Sequence, residues 1–102
     1  MDHLSIGRLY KVMQVFDVGI KVALTVSYVG NHREGIPLAS LNEAGVLPDY
    51  IRSVRDIGPN VKNFINAEPN KATVKYRNAR LGTLLTLTPM GKSLYDHLKE
   101  VK

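Results

Sequence analysis

Seven cationic side chains fall between residues 52 and 80 of this 102-residue chain, where only two acids accompany them. The net charge of that stretch, +5, equals the net charge of the whole chain. Clustered Lys and Arg attract polyanions, because phosphates that they neutralise release condensed counterions. The stretch therefore predicts a nucleic-acid partner, against the alternative of a solvated, mildly basic surface. Its cations are Arg52, Arg55, Lys62, Lys71, Lys75, Arg77 and Arg80.

Other chemistries lack the residues that they need. The chain has no cysteine, which excludes disulfides and thiolate metal sites. His3, His32 and His97 are far apart in sequence and lack the spacing of metal ligands. Gly91 and Lys92 are not preceded by the glycine-rich loop that cradles a phosphate. We therefore expect no enzymatic activity, no catalytic residue, no cofactor and no metal site.

Length and composition indicate one compact domain over residues 1–102. Apolar residues make up 44% of the chain and charged residues 23%, which is typical of a globular protein. No apolar run approaches the roughly 20 residues that span a bilayer, and the first residues do not resemble a secretory signal. We expect a cytoplasmic or nucleoid-associated protein without a membrane partner.

The first half of the chain contains two apolar segments. In Leu4–Phe16 the apolar residues recur at i, i+3, i+4 and i+7, which predicts a helix. Ile20–Val29 follows after a break and is rich in Val and Thr, so a strand is an alternative. The length of this segment favours a helix.

A helix-turn-helix pattern occupies residues 36–57. Pro37 suits the start of a short helix, and Gly45 suits its end. Pro48–Ile57 is predicted as a second helix, which Gly58-Pro59 terminates. The apolar residues that would dock the two helices are spaced by five, five and three positions. They are Leu41, Val46, Ile51 and Val54.

The second half predicts a hairpin followed by a helix. The segment 60–67 fits either a short helix or a strand. Ala72–Arg77 alternates and predicts a strand with one cationic face, and Thr83–Thr88 is its expected partner. The loop between them carries Arg80 at its tip. Thr88 is a good N-cap for a last helix that runs to about Glu100.

This order of elements resembles the winged-helix DNA-binding regulators of the MarR-like and PadR-like families. The piece Leu87-Thr88-Pro89-Met90-Gly91-Lys92 is similar to their L-T-x-x-G-K/R signature at the end of the wing. The resemblance covers residues 20 to 100. It implies an α+β, mainly helical fold: a winged helix-turn-helix with a two-stranded wing at 72–88, flanked by N- and C-terminal helices.

The resemblance also implies sequence-specific binding of double-stranded DNA by a transcriptional regulator. Pro48–Ile57 would be the recognition helix in the major groove, where Arg can contact guanine in bidentate fashion. The wing would hold the flanking backbone or the minor groove. Leu47 departs from the pattern, since Ser or Thr usually caps this helix. The implied DNA-binding residues are Tyr50, Arg52, Ser53, Arg55, Lys71, Lys75, Arg77 and Arg80.

Winged-helix regulators often form homodimers through terminal helices, so residues 1–19 are a candidate dimerisation element. The residues expected at this dimer interface are Tyr10, Met13, Phe16 and Tyr95. Two other functions remain open at this point. One is a protein–protein interaction module on the same fold, and the other is an architectural protein that coats DNA without reading its sequence.

Overall fold

The computed structural model describes residues 2–69 and 79–101. Within them the chain forms five α-helices, three short strands and two 3₁₀ helices, which together give a mainly helical α+β fold. The α-helices are α1 (His3–Phe16), α2 (Ile20–Gly30), α3 (Leu38–Glu43), α4 (Val61–Phe64) and α5 (Pro89–Lys99). The strands are β1 (Ile36–Pro37), β2 (Ile65–Glu68) and β3 (Leu84–Leu87), and the 3₁₀ helices span Val54–Ile57 and Ala79–Gly82.

The two predicted N-terminal helices are confirmed. Asp2 caps α1, because its carboxylate accepts a hydrogen bond of 2.8 Å from the backbone N–H of Ser5. That hydrogen bond lowers the pKa of Asp2, so the cap stabilises α1 above the ordinary Asp pKa and is lost as pH falls through the lowered value. Asp17 ends α1 in the left-handed conformation (φ 54°), and the chain bends by 96° between α1 and α2.

Helix α2 lies at the centre of the core. Val22, Val26 and Val29 are buried on its inner side, where α2 packs against α5 and β3. Leu85 of β3 and Leu94 of α5 are fully buried against it. Because Val and Thr residues of α2 face this interior, the apolar segment that also suited a strand forms a buried helix.

The sheet has the order β1-β3-β2, with both pairings antiparallel. Ile65 pairs with Leu87 and Glu68 with Leu84, so β2 and β3 form the two arms of a hairpin. The ambiguous segment 60–67 is thus both a helical turn and a strand. The predicted strand Ala72–Arg77 lies outside the described residues, so its pairing stays a prediction. Within residues 2–69 and 79–101, β1 and β2 lie on the two sides of β3.

Two residues of the L-T-x-x-G piece, Thr88 and Gly91, position the start of α5 against α4. The Thr88 hydroxyl accepts a hydrogen bond of 2.9 Å from the N–H of Gly91 and caps α5 as predicted. The same hydroxyl donates to the carbonyl of Asn63 at 2.7 Å. At Gly91 a Cβ atom would collide with the carbonyl of Phe64, so only glycine lets α5 approach α4 this closely.

The predicted recognition helix over Pro48–Ile57 is wrong. The chain there is irregular, and only Val54–Ile57 is helical, as one 3₁₀ turn. The side chain of Asn42 forms two hydrogen bonds with the backbone of Ile51, which we call the Asn42 clamp. Its amide N–H donates to the Ile51 carbonyl (2.9 Å), and its amide oxygen accepts from the Ile51 N–H (2.8 Å). An Ile51 held in this way cannot contribute to a helical ladder. The three-residue apolar spacing instead suits a 3₁₀ turn.

No single helix in residues 2–69 and 79–101 is long and apolar enough to cross a membrane. Helices α1 and α2 together reach the length and composition of a span, but the chain bends sharply between them.

The Asn42 clamp can be tested by substitution. Asn42→Ala removes two hydrogen bonds and should lower the free energy of unfolding by about 1–3 kcal/mol, as measured by urea denaturation. Asn42→Asp keeps the acceptor for the Ile51 N–H and should lose less. Asn66→Ala, at an exposed position of β2, is the matched control and should change stability by less than about 0.5 kcal/mol. Equal losses for Asn42→Ala and Asn66→Ala would rule the clamp out.

Candidate nucleic-acid interface

A cleft of about 340 Å³ lies where the two 3₁₀ helices meet α4 and the end of β2. Three of its lining residues are cations from three separate segments, and two are hydroxyl-bearing residues. None of the described residues that line it carries a carboxylate. We call this cavity the basic cleft. Its lining consists of Leu38, Ser53, Val54, Arg55, Lys62, Ala67, Pro69, Arg80 and Thr83.

The first 3₁₀ helix supplies two of the polar lining residues. Ile57 at its end is fully buried and fixes the turn in the core. Ser53 precedes the turn in extended conformation (φ −147°, ψ 148°), and its carbonyl accepts from the N–H of Asp56 at 3.0 Å. With Ile57 turned inwards, Arg55 is left exposed at the mouth of the cleft.

Helix α4 supplies the second cation in a similar way. Val61 and Phe64 are buried, and the Phe64 ring packs edge-on against Phe16 of α1, with 6.2 Å between the ring centroids. These two anchors fix the rotation of the short helix. Lys62 lies between them in sequence and is exposed towards the cleft.

The second 3₁₀ helix brings in the third cation. The N–H of Thr83 donates to the Arg80 carbonyl (3.2 Å) and closes the turn, and the N–H of Leu38 donates to the Thr83 carbonyl (2.9 Å) and ties its end to α3. Thr83 itself is buried. Arg80, predicted at a loop tip, is therefore carried by a turn that packs on α3 and lines the cleft.

The local electrostatics favour an anion. Three like charges around one concave surface raise the local concentration of negatively charged ligands, and the lining residues within 2–69 and 79–101 include no acid. Asp49, on the loop before the cleft, is paired with Lys21 of α2 at 2.9 Å. A phosphate group in the cleft would find guanidinium, ammonium and hydroxyl donors together.

A second cavity, of about 470 Å³, also carries positive charge. It lies between the end of α2, β3 and α5, and Arg33, Lys92 and Lys99 are among its lining residues. Asp96 lines it as well and forms an ion pair with Lys99 at 3.5 Å. Because a carboxylate is part of its wall, this cavity is less suited to an anion than the basic cleft.

Of the predicted DNA-binding residues, Ser53, Arg55 and Arg80 are brought together in the basic cleft. Tyr50 and Arg52 lie exposed on the preceding loop and do not line it. Lys71, Lys75 and Arg77 lie outside the described residues.

Lys62 was missed as a site residue. It belongs to the basic stretch, but segment 60–67 fitted either a helix or a strand. The side of the molecule on which Lys62 lies could therefore not be predicted. The buried pair Val61 and Phe64 is the signal that orients it.

The residues predicted for a dimer interface have different environments. Phe16 packs on Phe64 and on His97, and Tyr95 fills the space above Gly30 and donates its hydroxyl to Asn31 at 2.7 Å. Both rings thus contribute to packing within the subunit. Met13 is half-buried, whereas Tyr10 is exposed on α1. No group of three His, Asp or Glu side chains is arranged to hold a metal ion within the described part of the chain.

Comparison with protein-family models, with curated proteins and with solved structures finds no match to this chain. The case for a function therefore depends on the chemistry and geometry of the basic cleft.

If the cleft cations serve a ligand, the fold should not need them. Arg55 and Lys62 make no hydrogen bond or ion pair within residues 2–69 and 79–101. Arg55→Ala and Lys62→Ala should each change the free energy of unfolding by less than about 0.5 kcal/mol in chemical denaturation. Ile57→Ala, which empties a core position behind the same turn, should cost about 2–5 kcal/mol. A loss above about 1.5 kcal/mol for either cation would assign it a structural role.

Proposed function

We propose that this chain binds double-stranded DNA, with the basic cleft as the part of its surface that holds the phosphate backbone. The observation that carries the proposal is the convergence of Arg55, Lys62 and Arg80 on one concave surface, whose lining includes no acid among the described residues. Affinity for DNA comes largely from such contacts, since they neutralise backbone phosphates.

The order of elements supports a winged-helix architecture. A helix, a short strand and a second helix (α2, β1, α3) precede a hairpin (β2, β3), and β1 pairs with the second arm of that hairpin. In this architecture the hairpin and the segment before it face the DNA. Both contribute to the basic cleft: Ala67 and Pro69 from the hairpin side, and Arg55 from the segment before it.

The most specific role that we propose is that of a transcriptional regulator. A second candidate, an architectural DNA-binding protein, is favoured by one observation: the irregular Pro48–Ile57 segment provides no long helix for the major groove. The two roles differ in the ratio of specific to random-sequence affinity. A regulator should prefer its operator by about a thousandfold or more, whereas an architectural protein should show a ratio near one. Footprinting on genomic fragments measures this ratio.

Duplex binding should depend steeply on salt. Three cleft cations per subunit in a dimer predict a slope near −5 in a plot of log affinity against log salt, from about −0.9 for each phosphate contact. Arg55→Glu combined with Lys62→Glu should abolish measurable binding in fluorescence anisotropy. Arg33→Glu combined with Lys92→Glu, an equal change of charge at two exposed positions outside the cleft, should change the affinity less than about threefold.

Two results would argue against this proposal. A salt-independent affinity would show that phosphates are not the ligand. An equal loss of binding from the Arg33→Glu, Lys92→Glu pair and from the Arg55→Glu, Lys62→Glu pair would mean that net charge, rather than the basic cleft, attracts the DNA.

We also propose that the chain acts as a homodimer through α1. Apolar side chains are spread over an arc of about 240° of this helix at 3.6 residues per turn, interrupted by Ser5 and Arg8, whereas a surface helix needs about 100°. Packing within the subunit uses only the middle of that arc, which includes the half-buried Val12 and Phe16. Leu4 and Val15 remain exposed on one flank, and Ile6 and Tyr10 on the other. A second copy of α1 would cover the flank that carries Ile6 and Tyr10, since Tyr10 is one of the residues predicted for the dimer interface.

Analytical ultracentrifugation can test the dimer. The wild-type chain should sediment at about twice its mass of 11.4 kDa. Ile6→Glu with Tyr10→Glu should give the monomer, because two buried charges in an interface cost several kcal/mol. Met90→Glu makes the same kind of change at an exposed apolar residue of α5 and should leave the dimer intact. A monomeric wild type, or a dimer unaffected by the double variant, would contradict the proposal.

A further inference from the structure

Tyr50 is an aromatic side chain held out in solvent. It is 63% exposed, although its neighbour Ile51 is buried in the core. Within residues 2–69 and 79–101 it makes no hydrogen bond, ion pair or ring contact. A tyrosine ring has two usable faces and one hydroxyl, so an unpartnered ring is suited to contact a ligand.

The backbone that carries Tyr50 is held from both sides. Asp49, before it, forms an ion pair of 2.9 Å with Lys21 of α2. Ile51, after it, is clamped by the two hydrogen bonds from the Asn42 side chain and is buried. Tyr50 therefore sits at the tip of an anchored loop, where it has only its two side-chain torsions to lose on binding. The entropic cost of immobilising it is correspondingly small.

Tyr50 also lies next to the basic cleft along the chain. It precedes Ser53, a lining residue, by three positions, so the two Cα atoms are at most about 11 Å apart at ~3.6 Å per residue. Arg52, exposed between them, continues the positive charge from the cleft to the ring. A strand whose phosphates lie in the cleft could reach Tyr50 within about three nucleotides at ~3.4 Å per step.

We propose that Tyr50 is a stacking residue for an unpaired base, so that the preferred ligand is DNA with a short single-stranded segment beside the duplex. This inference rests on the proposed binding of DNA in the basic cleft. Bases of an intact duplex stack on each other and do not offer a face to an exposed ring, whereas unpaired bases do. An anchored aromatic residue beside a cationic groove has the two parts that single-strand binding requires.

The experiment compares two labelled ligands: a blunt duplex, and the same duplex with a short single-stranded overhang. The wild-type chain should bind the overhang about tenfold more tightly, in line with one stacked base. Tyr50→Ala and Tyr50→Leu should lose that preference and keep the affinity for the blunt duplex. Tyr50→Phe, which retains the ring, should keep the preference. Met90→Ala removes a side chain that is 48% exposed elsewhere and should behave as wild type.

A fluorescence measurement adds a second readout. The chain has no tryptophan, so Tyr50→Trp creates a single tryptophan at the tip of the loop, which can be excited at wavelengths that the remaining tyrosines do not absorb. Its emission should be quenched by the overhang ligand and much less by the blunt duplex. Met90→Trp, the matched control, should be quenched by neither.

The possible results separate the two proposals. Equal binding of both ligands by the wild-type chain, or a preference that survives in Tyr50→Ala, would overturn the role of Tyr50 and leave DNA binding in the cleft standing. Failure to bind either ligand would overturn both. A preference that Tyr50→Leu retains would attribute it to apolar area and overturn stacking.

Discussion

The contact between Phe64 and the start of α5 is the constraint on which the rest of the structure depends. The Phe64 carbonyl accepts the N–H of Thr88 at 3.0 Å, and Gly91 leaves room for that carbonyl against α5. The fully buried Phe64 ring meets Phe16 of α1. One residue thereby joins α1, α4, β3 and α5. A larger residue at Gly91 would separate these elements, because packed interiors cannot absorb an added atom without a shift of the backbone.

This junction also explains why a short helix can hold a cation of the basic cleft in a fixed position. A four-residue helix has little stability of its own, since nucleation of a helix is unfavourable. Tertiary contacts of Val61 and Phe64 hold α4 in place, and Lys62 is presented between them. The other cations of the basic cleft are likewise carried by single turns with a buried or hydrogen-bonded anchor. The cleft is therefore a product of core packing, although its charged residues lie at the surface.

The loop before the cleft shows a local preference overridden by a distant side chain. Pro48 and the apolar residues after it favoured a helix, and the order of elements predicted that this helix would be the recognition helix in the major groove. The Asn42 amide instead satisfies the backbone of Ile51, and the loop exposes Tyr50. An apolar spacing of three residues does not distinguish an α-helix from a 3₁₀ turn that follows an irregular segment. If this chain binds DNA, we expect it to contact the DNA phosphates and to use the ring of Tyr50, rather than to read base edges with a helix.

The sequence alone determined the parts whose signals are local. Helices α1, α2 and α5 followed from apolar periodicity and caps such as Thr88, and the basic stretch followed from composition, because these properties depend on neighbouring residues. Only the tertiary structure decided how distant residues meet. It joined Arg55, Lys62 and Arg80 in one cleft, and it gave β3 the partners β1 and β2. Such contacts depend on which surfaces bury best together, and no short window of sequence contains that information.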